Sequence, residues 1–321
     1  MSKTVLSDKK IVVIGGGTGT FTVLSGLKKY FSDLTAIVTM ADDGGSSGRL
    51  REEFGILPPG DIRQALIALS RSDNAMLARL FGYRFLESKS LKGHSFGNIL
   101  LTALERLTGD FQTAILEAGK ILGVRGAVIP VTLDNVRLFA ELDNGDIVRG
   151  ETNVDVPQYD HRRTIARIWL EPKATVNPRA IQAIADADLV VIGPGGFYTS
   201  ILPHLLIPGI VEALQQTNAR VAYVANLMTK GGETNDFRAS DFLRVLESYL
   251  GPNVIDAILV NTKRPATKRF KPYAKEGAGV VAPDLARSSD RLRVIRGDFL
   301  RDRGFLRHDS EKVAKIIRKL V

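Results

Sequence analysis

Cysteine is absent from the chain, which excludes a disulfide framework, a thiolate zinc site, an iron–sulfur cluster and a cysteine nucleophile. Tryptophan occurs once and aromatic residues make up only 7%. No apolar run approaches the ~20 residues that span a bilayer. Met1 to Lys10 is polar and lacks the apolar stretch of a signal peptide, so the expectation is a cytoplasmic protein without a membrane span. Histidine is scarce: His94, His161, His204 and His308 show no metal-ligand spacing, and each reads as structural except His94, which opens a helix among polar groups. No Gly-x-Ser-x-Gly nucleophile elbow occurs.

What remains is a globular balance, 44% hydrophobic and 25% charged over 321 residues, enough to bury a sizeable core. Charge is unevenly spread. The net +9 lies wholly in residues 261–321, where 17 Lys/Arg face 7 Asp/Glu, from Lys263, Arg264, Lys268, Arg269 and Lys271, through Arg287 to Arg307, to the last helix. Such a segment suits a solvated face, or contact with nucleic acid or another acidic partner.

Strand and helix patterns alternate. Ile11–Ile14 is a short apolar run ending in glycines, as a parallel strand buried on both faces should be. A second strand, 35–39, leads into a Gly/Ser/Asp loop. Helical patterns at 61–69, 74–85, 98–107 and 111–122 follow one another with no strand between them. Residues 127–131 look strand-like, 136–142 and 146–149 flank the turn Asp143-Asn144-Gly145, and 165–170 adds another strand. The parallel pattern resumes at 189–192, 220–225 and 255–260, with helices at 210–215, 239–249 and 312–320. The expected fold is α/β: a doubly wound, mostly parallel Rossmann-like sheet in one large domain, with a helical cap (about 61–122), a small β-rich hairpin insertion (about 127–170) and the basic region 261–321.

In such sheets ligands bind beyond the carboxyl ends of the strands. Three loops there carry the unusual residues. Gly15-Gly16-Gly17-Thr18-Gly19-Thr20 permits close backbone approach to a phosphate at a helix start. It is not a Walker A loop, and Thr20 breaks the strict dinucleotide fingerprint. Asp42-Asp43-Gly44-Gly45-Ser46-Ser47 offers carboxylates and hydroxyls to a sugar or to a hydrated magnesium at Asp42 and Asp43. Asp61 and Arg63 stand nearby, at a helix start where Asp61 also suits an N-cap. Gly193-Pro194-Gly195-Gly196 with Thr199 and Ser200 repeats the glycine-loop pattern, and two such loops could hold the two ends of a diphosphate. Asn226 and Thr229 follow a further strand and would form another wall; His94 and Asn98 complete the candidate set.

These loops, in this order, resemble the YvcK/CofD family from about Lys9 to about Leu259. The matching stretches are GGGTGTFTVLSGL at 15–27, VTMADDGGSSGRLR at 38–51, PPGDIRQALIALS at 58–70, GHSFGNILL at 93–101, VRGAVIPVT at 124–132, IGPGGFYTSILPHLL at 192–206 and NLMTKGGET at 226–234. The resemblance implies one of two activities. The CofD branch moves a phospholactate group from a guanylated donor to a deazaflavin acceptor with magnesium, and Asp42 and Asp43 match its acidic pair. The YvcK branch, the gluconeogenesis factors, binds nucleotide sugars such as UDP-N-acetylglucosamine and is linked to cell shape and to growth on gluconeogenic carbon sources. The Gly-Gly-Ser-Ser-Gly-Arg-Leu-Arg stretch and the Pro-Pro-Gly-Asp segment look like the YvcK branch. Gly196-Phe197 stands where the family has Ser-Leu, and Asn235-Asp236-Phe237 where it has Asp-Gly-Tyr.

Three functions therefore compete at this level: a nucleotide-sugar-binding regulator, a CofD-type transferase, and a nicotinamide-dependent oxidoreductase suggested by the first glycine loop and a following acid. The catalytic residues, the base and sugar of the ligand, and homo-oligomer formation are open from sequence.

Overall fold

The computed structural model describes residues 6–87, 89–285, 288 and 291–321. Met1 to Val5 and Arg287 of the basic run lie outside them.

Seven strands form one sheet: β1 (Ser7–Gly15), β2 (Phe31–Val38), β3 (Ala127–Pro130), then β7 (Leu189–Ile192), β8 (Arg220–Val224), β9 (Ala257–Asn261) and β10 (Arg293–Gly297). A three-stranded antiparallel sheet, β4 (Arg137–Leu142), β5 (Ile147–Arg149) and β6 (Ile165–Glu171), lies between them in sequence. The large sheet runs β10-β9-β8-β7-β1-β2-β3, and every pairing in it is parallel. Its centre is the most apolar part of the sequence: Ile11–Ile14 and Leu189–Ile192 are buried throughout, as strands covered on both faces must be. From β1 the chain builds outward to β2 and β3, then returns to the other side of β1 with β7. The strand order therefore reverses between β1 and β7, where ligand crevices form in open α/β sheets.

The helices are α1 (Gly17–Leu27), α2 (Gly45–Phe54), α3 (Gly60–Leu69), α4 (Ala75–Gly82), α5 (Phe96–Thr108), α6 (Phe111–Leu122), α7 (Glu151–Asp155), α8 (Pro178–Ala185), α9 (Leu202–Leu205), α10 (Ile210–Gln216), α11 (Ala239–Leu250), α12 (Thr267–Lys275) and α13 (Ser310–Ile317). α1 packs on α3 and α13, and α3 and α6 lie against β3, with α4 and α5 outboard. Among the described residues no single helix is long and apolar enough to cross a membrane.

The sequence-based boundaries shift in three places. Residues 127–130 do not open the β-rich insertion: they pair in parallel with Thr35–Val38 as the edge strand of the large sheet, where Pro130 is tolerated because one side needs no ladder donor. The acidic Gly/Ser segment is a loop only to Gly44; from Gly45 it is α2, which the low helix propensity of Gly-Ser-Ser-Gly concealed. The basic region is structurally part of the core, because β10 extends the sheet and α13 covers α1.

Candidate functional site

The loops after β1 and β7 meet. A β-carbon on Gly15 would lie 3.9 Å from Gly193 Cα, one on Gly195 3.5 Å from the Gly16 carbonyl, and one on Gly19 would overlap the Pro194 carbonyl oxygen. Glycine is thus a steric requirement at Gly19, while the other two contacts are ordinary van der Waals distances. Gly17 adds a conformational one, with φ at +61° where α1 begins.

Beside the junction lies a cleft of about 530 Å3. Gly16, Gly17, Thr18 and Gly19 form one wall, Gly195, Gly196, Thr199 and Ser200 another. Facing them are Asp42, Asp61, Glu151 and Asp155, with Thr39, Gln64 and Thr152 between. A smaller hollow of about 180 Å3 shares Thr18, Gly19 and Gly195 with the cleft and continues to Asn226, Met228, Arg307 and His308. The glycine junction is therefore a partition with a depression on either side.

The cleft is electrostatically acidic. Asp61 accepts a hydrogen bond from the Gly17 amide, which places a carboxyl at the start of α1, yet burial, reinforced by Asp42, pushes its pKa up to about 7. Asp42 is raised by burial, against hydrogen bonds from the Gly44 amide (2.9 Å) and Ser47. Glu151 rises to about 9, from burial and then from Asp155, Asp42 and Asp61. At neutral pH Glu151 is thus a neutral donor, and the acids together repel further negative charge unless a cation or proton enters with it. Two hydroxyls of the cleft lining, Thr152 Oγ1 on the acidic side and Thr199 Oγ1 on the glycine-loop side, are buried without hydrogen-bond partners. Among the described residues no group of three or more His, Cys, Asp or Glu is placed to hold a metal ion.

Several residues singled out from sequence serve the scaffold. Asp43 turns away from the cleft: its carboxylate accepts the Glu151 amide (3.1 Å) and the Thr152 amide (2.8 Å) and lies 3.8 Å from Arg137, so it anchors α7 instead of facing a ligand beside Asp42. Ser46 is buried between His94 Nδ1 and Asn98 Nδ2, each at 3.1 Å, which ties α2 to the start of α5. Ser47 supports Asp42. Arg63 is buried against Gly97 and does not line the cleft. Gly15 and Gly193 make the turns beneath the junction, the Gly193 amide donating to Ile14 O at 2.9 Å. Asn226 donates to Gly195 O at 2.8 Å and lines the smaller hollow. Thr229 Oγ1 accepts the Gly279 amide at 2.7 Å and lines neither depression.

Other site residues carried no recognisable sequence signal. Glu151 and Asp155 arrive from the antiparallel insertion; Arg307 and His308 come from the basic region. The His308 ring is buried and neutral, its pKa lowered by burial to about 4, and its Nε2 has no partner. Behind the cleft, Lys230 pairs with Asp155 and, at 2.9 Å, with the buried Glu233, clamping α7 to the loop after β8.

A family model described as 2-phospho-L-lactate transferase CofD matches residues 11–300. The chain belongs to the YvcK/CofD family. The match runs well past Leu259, where the motif-level resemblance fades. Among relatives, the protein named gluconeogenesis factor in Bacillus subtilis is 43% identical over 311 residues, spanning 96% of each chain. The one in Listeria innocua is 43% identical over 307 residues, spanning 95% of this chain and 93% of its own. A crystal structure of a protein from Bacillus halodurans superposes with a TM-score of 0.90 at 41% identity, covering 97% of this chain and all of that one. Residues of the YvcK/CofD fold thus extend into the basic region, which supplies the far wall of the smaller hollow.

Proposed function

We propose that the chain is a gluconeogenesis factor of the YvcK type that binds a nucleotide sugar across the glycine partition. The diphosphate would lie along Thr18, Gly19 and Gly195, within reach of Arg307. The sugar would enter the acidic cleft, where carboxylates accept hydroxyl hydrogens and the Thr152 and Thr199 hydroxyls gain partners. The base would occupy the smaller hollow. The observation that carries this reading is the shared wall: one set of backbone amides borders both a carboxylate-rich cavity and a hollow containing an arginine. On this reading the protein is a regulatory binder in gluconeogenic growth and cell shape, with UDP-N-acetylglucosamine as the ligand type. Calorimetry with that compound should give saturable heat and a rise in Tm; no heat and no stabilisation at millimolar ligand overturns it.

The transferase reading draws support from Asp42 and Asp61. Both carboxyls are raised by burial, Asp61 further by Asp42, and their hard oxygens suit magnesium, which takes one or two carboxylates and completes its shell with water and phosphate. The ion would offset charge on a diphosphate during group transfer. Asp42 and Asp61 would hold it; Asp43, engaged with α7, would not. Incubation with a deazaflavin acceptor, guanylated phospholactate and magnesium, followed by mass spectrometry, tests this reading, and the absence of product counts against it.

A further inference from the structure

At the opposite edge of the sheet, where β2 and β3 begin, lies a separate cavity of about 490 Å3. Lys28, Lys29, Arg71 and Arg125 line it together with Ser70 and Asp73, over the largely buried side chains of Phe31 and Leu69. Two of these cations are neutralised locally: Lys29 by Glu311 at 2.6 Å and Arg71 by Asp73 at 2.7 Å. The other two are not. Lys28 Nζ donates to the Ser70 carbonyl at 2.8 Å and has no carboxylate partner among the described residues, and burial, with Lys29 beside it, lowers its pKa. Arg125 is exposed at the rim and forms no ion pair among the described residues, although its charge acts on Asp73, whose carboxylate is held by two hydrogen bonds from Arg71.

We infer that this cavity is a second binding site, for a small phosphate monoester with an apolar body. The phosphate would meet Lys28 and Arg125, and the body would cover Phe31 and Leu69. Cations at helix C-termini also offset the helix dipole, which accounts for Lys28 and Lys29 at the end of α1. It does not account for Arg125, which leads into a strand, or for an apolar-floored cavity of ligand size between them. α1 and α3 start at the cleft and end at this cavity, so a ligand here would press on the far ends of the two helices that carry Gly17 and Asp61. About 16 Å of α1 separates the two sites.

Calorimetry of the full chain with phenyl phosphate and, separately, inorganic phosphate tests the inference. Phenyl phosphate should bind saturably and several-fold more tightly than inorganic phosphate. Arg125→Ala, at an exposed position, and Lys28→Met should each weaken it roughly ten-fold, the loss expected for one charged hydrogen bond. Arg244→Ala, on the exposed face of α11, should leave it unchanged, and circular dichroism should show every variant folded. Equal affinity for the two probes, a Kd indifferent to Arg125→Ala, or no heat at millimolar probe overturns the site.

Discussion

Gly19 and Pro194 touch backbone to backbone, so closely that any β-carbon on Gly19 would penetrate the Pro194 carbonyl oxygen. Two loops separated by more than half of the chain are thereby fixed as one partition. Gly19→Ala should force them apart, costing about 1–3 kcal/mol of stability as overpacking does, and abolishing nucleotide-sugar binding. Thermal denaturation and calorimetry on the same variant check both; a variant with normal affinity would show that the junction is not the binding wall.

The acidic cleft makes stability fall with rising pH. Asp61 and Glu151 keep their protons to about 7 and about 9 in the folded chain, but lose them near 4 when unfolded. Over that interval the native state holds more protons than the unfolded state. The stabilisation is complete below about pH 4 and is lost as pH climbs, by at most about 1.4 kcal/mol per pH unit for each group. Tm should therefore decline from pH 5 to 9, and Glu151→Gln should flatten the upper part, from 7 to 9. A wild-type Tm that is level across the whole range contradicts this.

Arg307 is the cation of the smaller hollow, on the proposed path of the diphosphate. Arg307→Ala should raise the Kd for UDP-N-acetylglucosamine about ten-fold or more, corresponding to one charged hydrogen bond, while Tm in the absence of ligand stays within about 1 °C because the side chain is exposed. Unaltered binding would move the phosphates elsewhere.

Lys230→Met removes the cation beside the fully buried Glu233. Stranding that carboxyl should cost about 3 kcal/mol, the lower end for a broken buried pair since Lys230 is itself half-exposed. Burial holds the Glu233 pKa up at about 7, so the penalty should be smaller at pH 6, where the acid is mostly protonated, than at pH 8. Denaturant unfolding at the two pH values measures the difference; an equal cost at both refutes the pairing argument.

How much of this was legible in the sequence depends on how locally each feature is encoded. Central strands such as Leu189–Ile192 are apolar without interruption, and both glycine loops stand directly after such runs, so the fold and half of the cleft could be read. Asn177 before Pro178 is an N-cap and first-turn signal that would have marked α8, and β10 was hidden by its alternating arginines. The acidic pair misled. Asp42 and Asp43 are adjacent in sequence, but only the fold shows that one lines the acidic cleft while the other takes the amides of Glu151 and Thr152, more than a hundred residues away. Glu151 and Asp155 lie in a stretch of ordinary composition, and Arg307 and His308 in a basic region whose charge does not say what it faces; their proximity is a property of the tertiary structure alone.

The two departures from the family motifs turn out to be one packing unit. Phe197 and Phe237 meet edge to face with ring centroids 6.4 Å apart, and both also contact Phe242. Phe197, Phe237 and Phe242 thus form an aromatic brace behind the second glycine loop.

The anchoring of α7 by Asp43 has a mechanical corollary. The segment that carries Glu151 and Asp155 is delivered by the small antiparallel sheet and held from two directions, by the Asp43 carboxylate at its start and by Lys230 at its end. A shift of that segment would therefore reshape the acidic side of the cleft while leaving the contact between Gly19 and Pro194 in place.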